Sequence, residues 1–304
     1  MNHIIRIKLL VSAAIAIAAS PSHAQTPDTT RGRACPSCAE WNAPQSPIRI
    51  FGNSYYVGTH GLSAILITSA EGHVLIDAGL PESAEPILAS IRTLGFKPED
   101  IKLILNSHAH FDHAGGIADV QRASHATVAA SAWSAGVISR GTSPASDPQY
   151  SLVIPYPPAH DVKVIADGET LRVGPLALTA HFTGGHTPGG TTWTWRSCDG
   201  GRCLDMVYAD SQTPISEDGF LFTRNATYPT AIADFEHGHA TLEHLACDVL
   251  LTPHPGASSL FERLAARDAG AASPALVDDG ACKRLAATAR TALAKRINTE
   301  KAKQ

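Results

Sequence analysis

Four side chains able to bind a metal ion stand within six residues: His108, His110, Asp112 and His113, on a run that leaves the apolar stretch 101–105 and ends at Gly115 and Gly116. Imidazole nitrogen and carboxylate oxygen are the donors that a borderline cation such as zinc accepts. On a regular strand, side chains three positions apart point to opposite faces, which would separate His110 from His113. An irregular, glycine-flanked loop at the end of a strand is therefore expected, one that turns all four groups toward a common centre. A lone histidine in such a loop would simply meet water, whereas four donors at this spacing point to a metal site.

Zinc takes about four ligands, so a cluster shared between two ions needs partners from elsewhere in the chain. Two are available. His186 lies in a run from Thr183 to Gly190 in which glycines permit close backbone approach and Pro188 stiffens the turn. His254 stands between Pro253 and Pro255, directly after the apolar run that ends at Leu251. His181, His237, His239 and His244 have no comparable setting, and packing or helix-surface roles are expected for them.

The elements that must position these groups alternate short strand-like runs with helical ones. Residues 64–67, 74–76 and 101–105 read as strands, and 83–94 carries helical spacing that stops at Gly95. Helical character resumes near Ile117. Residues 162–165, 170–173, 176–182, 191–195 and 204–208 are strand-like, with turns at Asp167-Gly168 and Gly174-Pro175. Helices are expected over about 231–245, 258–267 and 281–297. Strands clustered in each half and followed by helices imply an α/β fold of stacked sheets covered by helices on the outside, with a site in the loops at the strand ends. The run 141–150 is rich in turn formers and is expected to overhang that site, where Gln149 and Tyr150 either touch substrate or sit on the surface.

A chain of 304 residues with 44% hydrophobic residues can bury a large core. Its formal charge of −4 falls to −6 without residues 1–24, which carry Arg6 and Lys8 and no acid, so there is no electrostatic basis for holding nucleic acid. The first residues are a short basic region ending at Lys8, an apolar stretch 9–19, and small residues at Ser22 and Ala24, the pattern of a secretory signal peptide. The apolar stretch is short for a bilayer span. A mature domain of residues 25–304 in the periplasm is expected, with no membrane attachment after signal removal.

Six cysteines in an exported chain read most simply as disulfides. Cys198 and Cys203 flank a turn-forming stretch, and a bridge there would staple a hairpin. Cys247 precedes the strand-like residues 248–251 and Cys282 opens the last helix, so their bridge would tie that helix to the sheet. Cys35 and Cys38 could close locally or stay reduced.

On the His108–His113 run, Gly185-His186-Thr187-Pro188, Tyr208-Ala209-Asp210-Ser211 and Thr252-Pro253-His254-Pro255, the chain resembles the metallo-β-lactamase-fold hydrolases, and in detail the subclass B3 metallo-β-lactamases. Cys198/Cys203 and Cys247/Cys282 fall where some members carry disulfides, and the likeness runs over about residues 41–296. The resemblance implies an αββα sandwich of two stacked mixed β-sheets. It also implies two Zn²⁺ per chain, one held by His108, His110 and His186 and the other by Asp112, His113 and His254. The substrate it implies is a small molecule, a β-lactam antibiotic, opened by a zinc-activated hydroxide without a covalent intermediate; Asp112 is the catalytic carboxylate that orients the hydroxide. A monomer is expected. Serine hydrolases of the same drugs use a Ser-x-x-Lys signature, and no serine here has lysine three positions on.

Ser211 occupies the place where other zinc β-lactamase subclasses carry a cysteine ligand. Ser211 and Thr213 thus become candidates to hydrogen-bond a substrate carboxylate, with loop capping an equal reading for Thr213. Asp77, ending the strand 74–76, is expected to hold the His-rich loop. Two other readings remain open: a different di-zinc hydrolase such as a lactonase or thioester hydrolase, in which Asp210 would bridge the ions, and a zinc-binding protein without catalysis.

Overall fold

In a computed structural model, residues 1, 35–270 and 276–302 are described. The signal-peptide reading of residues 1–24 lies outside them. Among the described residues no helix is long and apolar enough to cross a membrane.

The chain order begins with a short helical turn, α1 (Cys38–Trp41), and four antiparallel strands, β1 (Ile48–Phe51), β2 (Ser54–Tyr56), β3 (Ile65–Ile67) and β4 (His73–Ile76). Then come α2 (Ala84–Thr93), β5 (Ile101–Leu105), α3 (Phe111–Ala114), α4 (Ile117–Ser124), β6 (Thr127–Ser131), α5 (Ala132–Arg140) and β7 (Lys163–Ile165). Strands β4 to β7 run parallel, each joined to the next through helix or loop, so the first sheet is mixed, with seven strands in sequence order. The second sheet holds β8 (Thr170–Val173), β9 (Leu176–Phe182), β10 (Thr191–Asp199), β11 (Arg202–Tyr208) and β12 (Val249–Leu251), reached after α6 (Ala231–His244). Only the β11–β12 pair is parallel in it. Helices α7 (Leu260–Asp268) and α8 (Ala281–Lys301) complete the chain.

The burial pattern explains the layering. On β9, Leu176, Leu178 and Ala180 alternate inward while the residues between them are partly exposed, because one face meets the other sheet. On β4 every residue is buried, since one face meets the second sheet and the other meets helices. Helix α2 presents Ala84, Ile87, Leu88 and Ile91 to that outer face at helical spacing and stops at Gly95, whose φ of +84° suits a residue without Cβ. Helices α6 and α8 cover the second sheet. Trp193 is fully buried between the sheets and donates its Nε1–H to the carbonyl of Asn106 at 3.0 Å. Its truncation to alanine would cost about 3–5 kcal/mol.

The αββα sandwich expected from the sequence is therefore present. Strands β1, β2 and β6 and helix α5 were not foreseen; β1 and β2 are short, the apolar–polar alternation of β1 is interrupted where its register with β2 shifts between Arg49 and Phe51, and β6 carries only Val128 among small or polar residues. All three cysteine pairs are bridged, including Cys35–Cys38, which the sequence left undecided.

Candidate metal centre and substrate cavity

Strand directions bring the functional loops to one edge of the sandwich. Strands β9 and β11 are each antiparallel to β10, and β12 is parallel to β11, so the loops after β9, β11 and β12 leave from the same side. The loop after β5 joins them there: Ser107 O accepts the N–H of Thr191 at 2.8 Å. Pro253 O likewise accepts the N–H of Ser63 at 2.8 Å, tying the His254 loop to the first sheet.

Asp77 sits at the end of β4 with φ +59°, a left-handed conformation that costs energy in any residue but glycine. Its buried carboxylate repays that cost by accepting Asn106 Nδ2–H at 3.0 Å, Ser107 N–H at 2.8 Å, Ser107 Oγ–H at 2.6 Å and Tyr208 O–H at 2.9 Å. Asn106 also donates to the carbonyl of His108 at 2.8 Å. Asp77 thus holds the His-rich loop, as expected. That loop is less irregular than the sequence suggested: after extended His110, residues Phe111–Ala114 form one helical turn that places Asp112 and His113.

The ligand atoms of His108, His110 and His186 all lie within 4.8 Å of one another, and so do those of Asp112, His113 and His254. Asp112 Oδ2 is 3.3 Å from His113 Nε2 and 3.4 Å from His254 Nε2. The rings of His108 and His113 are 4.4 Å apart between centroids, so the two groups adjoin. Gly185 makes the His186 turn possible: its φ is +127°, and a Cβ there would stand 2.4 Å from the Phe235 ring.

Most of these imidazoles are held from behind. His108 Nδ1–H donates to Asp210 Oδ1 at 2.7 Å, His186 Nδ1–H to the carbonyl of Thr213 at 2.9 Å, and His254 Nδ1–H to the carbonyl of Gly61 at 3.1 Å. His110 Nε2 lies 3.1 and 3.2 Å from the two carboxylate oxygens of Asp147. These partners fix which nitrogen faces the centre. Burial, reinforced by the neighbouring imidazoles, holds His108 well below the usual histidine range and His186 down to about 3, so both are neutral donors. Burial opposes the charge on Asp112, but His113 and His254 outweigh it and keep the carboxylate ionised.

These residues fit zinc. His108 Nε2 is buried with no hydrogen-bond partner among the described residues, an arrangement that is costly unless a cation completes it. Three imidazoles on one side, and two imidazoles with one carboxylate on the other, match the donor preferences of that ion.

A cavity of about 390 Å³ opens over both groups, with Trp41, Leu152 and Ile215 among its apolar walls. Ser211, Thr213 and Gln149 line it, and no lysine or arginine does among the described residues. Gln149 Nε2 lies 3.3 Å from His186 Nε2. Thr213 does more than the sequence indicated, since its backbone carbonyl orients His186. Asp210 is fully buried and belongs to neither ligand group, which leaves the bridging role given it in the alternative lactonase reading without support. Of the other histidines, His181 bonds Thr194 on the neighbouring strand, His237 and His244 lie on the surface of α6, and His239 is packed inside. The sequence reading missed Asp147: it lies 37 residues from His110, in a turn whose composition signals only a loop.

Residues 57–254 match the family described as the Metallo-beta-lactamase superfamily. Among solved structures, the chain is similar to the Rm3 metallo-beta-lactamase, with 55% identity and a TM-score of 0.86 over 88% of this chain and 99% of that one. It is similar to MEM-A1, a subclass B3 metallo-beta-lactamase isolated from a soil metagenome library, with 48% identity and a TM-score of 0.84 over 87% of this chain and 100% of that one. It also resembles the metallo-beta-lactamase SMB-1, solved in complex with mercaptoacetic acid, at 42% identity and a TM-score of 0.81 over 86% and 99% of the two chains. A curated relative, the N-acyl homoserine lactonase of Bacillus cereus, is 35% identical over 74 residues, 17% of this chain and 30% of the lactonase. The chain thus spans about a third of the length of that relative.

Proposed function

The chain belongs to the metallo-β-lactamase superfamily, and we propose that it is a zinc-dependent β-lactam hydrolase of the subclass B3 type. One observation carries the reading: the two ligand trios meet beneath a single cavity in a chain that matches the Rm3 metallo-beta-lactamase over 88% of its length. The lactonase alternative rests on a much shorter match, and Asp210, the residue it needed as a bridge, is turned onto His108.

Two zinc ions, when bound, would supply Lewis acidity toward the lactam carbonyl and make water a nucleophile at neutral pH. His108, His110 and His186 would hold one, and Asp112, His113 and His254 the other. Asp112 is the one carboxylate in the two trios, so it is the group placed to accept a hydrogen bond from the attacking water and orient it. With no lysine or arginine in the cavity wall among the described residues, the hydroxyls of Ser211 and Thr213 and the amide of Gln149 are the donors offered to a substrate carboxylate. The apolar walls exclude water from the rest of the substrate. Penicillins, cephalosporins and carbapenems all present the required ring and carboxylate.

The three disulfides fit an oxidising compartment, and with the pattern of residues 1–24 they support export to the periplasm. Parallel assays of a chromogenic cephalosporin and an N-acyl homoserine lactone test the function. The cephalosporin should be opened far faster; preference for the lactone would overturn the assignment.

A further inference from the structure

Asp147 is fully buried in the segment between α5 and β7 and belongs to neither ligand trio. Both its oxygens approach His110 Nε2, at 3.1 and 3.2 Å, and Oδ1 also accepts the N–H of Gln149 at 2.9 Å. One carboxylate therefore touches a ligand imidazole and the backbone of a cavity-lining residue together. The segment around it is closed at its base, where Tyr156 N–H donates to Gly141 O at 2.9 Å, and Tyr156 O–H donates to Ala109 O at 2.8 Å. Its outer part is held by Trp133 Nε1–H on Ser146 Oγ at 2.9 Å and by Glu217 N–H on Pro148 O at 2.8 Å.

Burying a carboxylate is expensive unless its lone pairs are used and its charge is balanced. Here the lone pairs are used, and the balancing charge would come from a cation held by His110. The three imidazoles of that group carry no negative charge themselves. Asp147 puts one directly behind His110, where it raises the basicity of the opposite nitrogen and fixes its direction.

We propose that Asp147 is a positioning residue for the three-histidine centre: it backs His110 so that this centre retains zinc, and it anchors Gln149 over the cavity. The proposal rests on the reading that His108, His110 and His186 bind metal.

The test is zinc affinity of the purified chain, measured by competition with a chromophoric chelator, with the visible spectrum of the cobalt-substituted protein as a second readout. Asp147→Asn keeps an acceptor for Gln149 N–H but removes the charge behind His110. Zinc should bind roughly 10–100-fold more weakly at one centre and unchanged at the other. The cobalt spectrum should shift, and the KM for a chromogenic cephalosporin should stay close to wild type at saturating zinc. Asp147→Ala removes the Gln149 anchor as well and should also raise KM. If the asparagine variant does not fold, Asp147→Glu, which keeps the charge but moves it, should still weaken zinc and alter the spectrum. Wild-type zinc affinity and an unchanged cobalt spectrum in whichever of these variants folds would overturn the role of Asp147 alone. A wild-type chain that binds no zinc would overturn the metal reading and this inference with it.

Discussion

The backbone carbonyl of Thr213 accepts the Nδ1–H of His186 at 2.9 Å, so the loop that offers hydroxyls to the cavity also aims an imidazole of the three-histidine trio. The loop after β11 and the loop after β9 are therefore one mechanical unit. Substitutions on either side of this bond should separate into metal effects and substrate effects.

Replacing His186 by alanine removes a donor from a trio that has no spare, and should strip zinc from that centre and abolish nearly all turnover. Replacing Ser211 by alanine leaves both trios intact and should mainly raise KM. Steady-state kinetics beside metal analysis distinguish the two; a fully metallated Ser211→Ala chain with kcat near zero would contradict the carboxylate-binding role.

Asp77→Ala should destabilise the chain by more than about 3 kcal/mol, because four hydrogen bonds are lost and buried Ser107 and Tyr208 lose a shared partner. Asp77→Asn tolerates the left-handed backbone better and should cost less. Denaturant unfolding of the zinc-free protein gives the comparison without interference from the metal.

The Cys247–Cys282 bridge closes a separation of 35 residues and Cys198–Cys203 one of 5. Chain-entropy arithmetic assigns them roughly 4 and 2 kcal/mol. Paired serine replacements should lower the unfolding midpoint in that order, read from denaturant titrations under oxidising conditions.

His239 is fully buried, and neither ring nitrogen has a hydrogen-bond partner among the described residues. Burial, helped by the nearby Arg290, holds its imidazole down to about 4, against the 6.5 usual for histidine. As pH falls through that window the unfolded chain takes up a proton that the folded chain refuses, so this group costs stability toward acid. In the zinc-free protein His239→Leu should gain on wild type as pH drops from 7 to 5. A constant difference in melting temperature over that range would refute the sign.

The two candidate ligand trios were legible in the sequence because metal chemistry leaves few residue types to choose from and packs four of them into six positions. His186 and His254 were found by their rigid, glycine- and proline-framed turns after strand-like runs. The long strands β9 and β11 and the helix α2 announce themselves by periodicity, whereas β1 and β2 are short and β6 carries only Val128 among small or polar residues. What holds the ligands was partly hidden. Asp77 ends a readable strand and was visible, but Asp147 and the Thr213 carbonyl act through contacts between distant loops, and a backbone carbonyl carries no residue-type signal.

Zinc stoichiometry measured against catalytic rate probes the core of the account most directly. Chelator-treated protein, titrated with zinc while its hydrolysis of a cephalosporin and a carbapenem is followed, should regain full turnover as two ions enter each chain. Undiminished turnover by a folded chain shown by elemental analysis to hold no transition metal would contradict it.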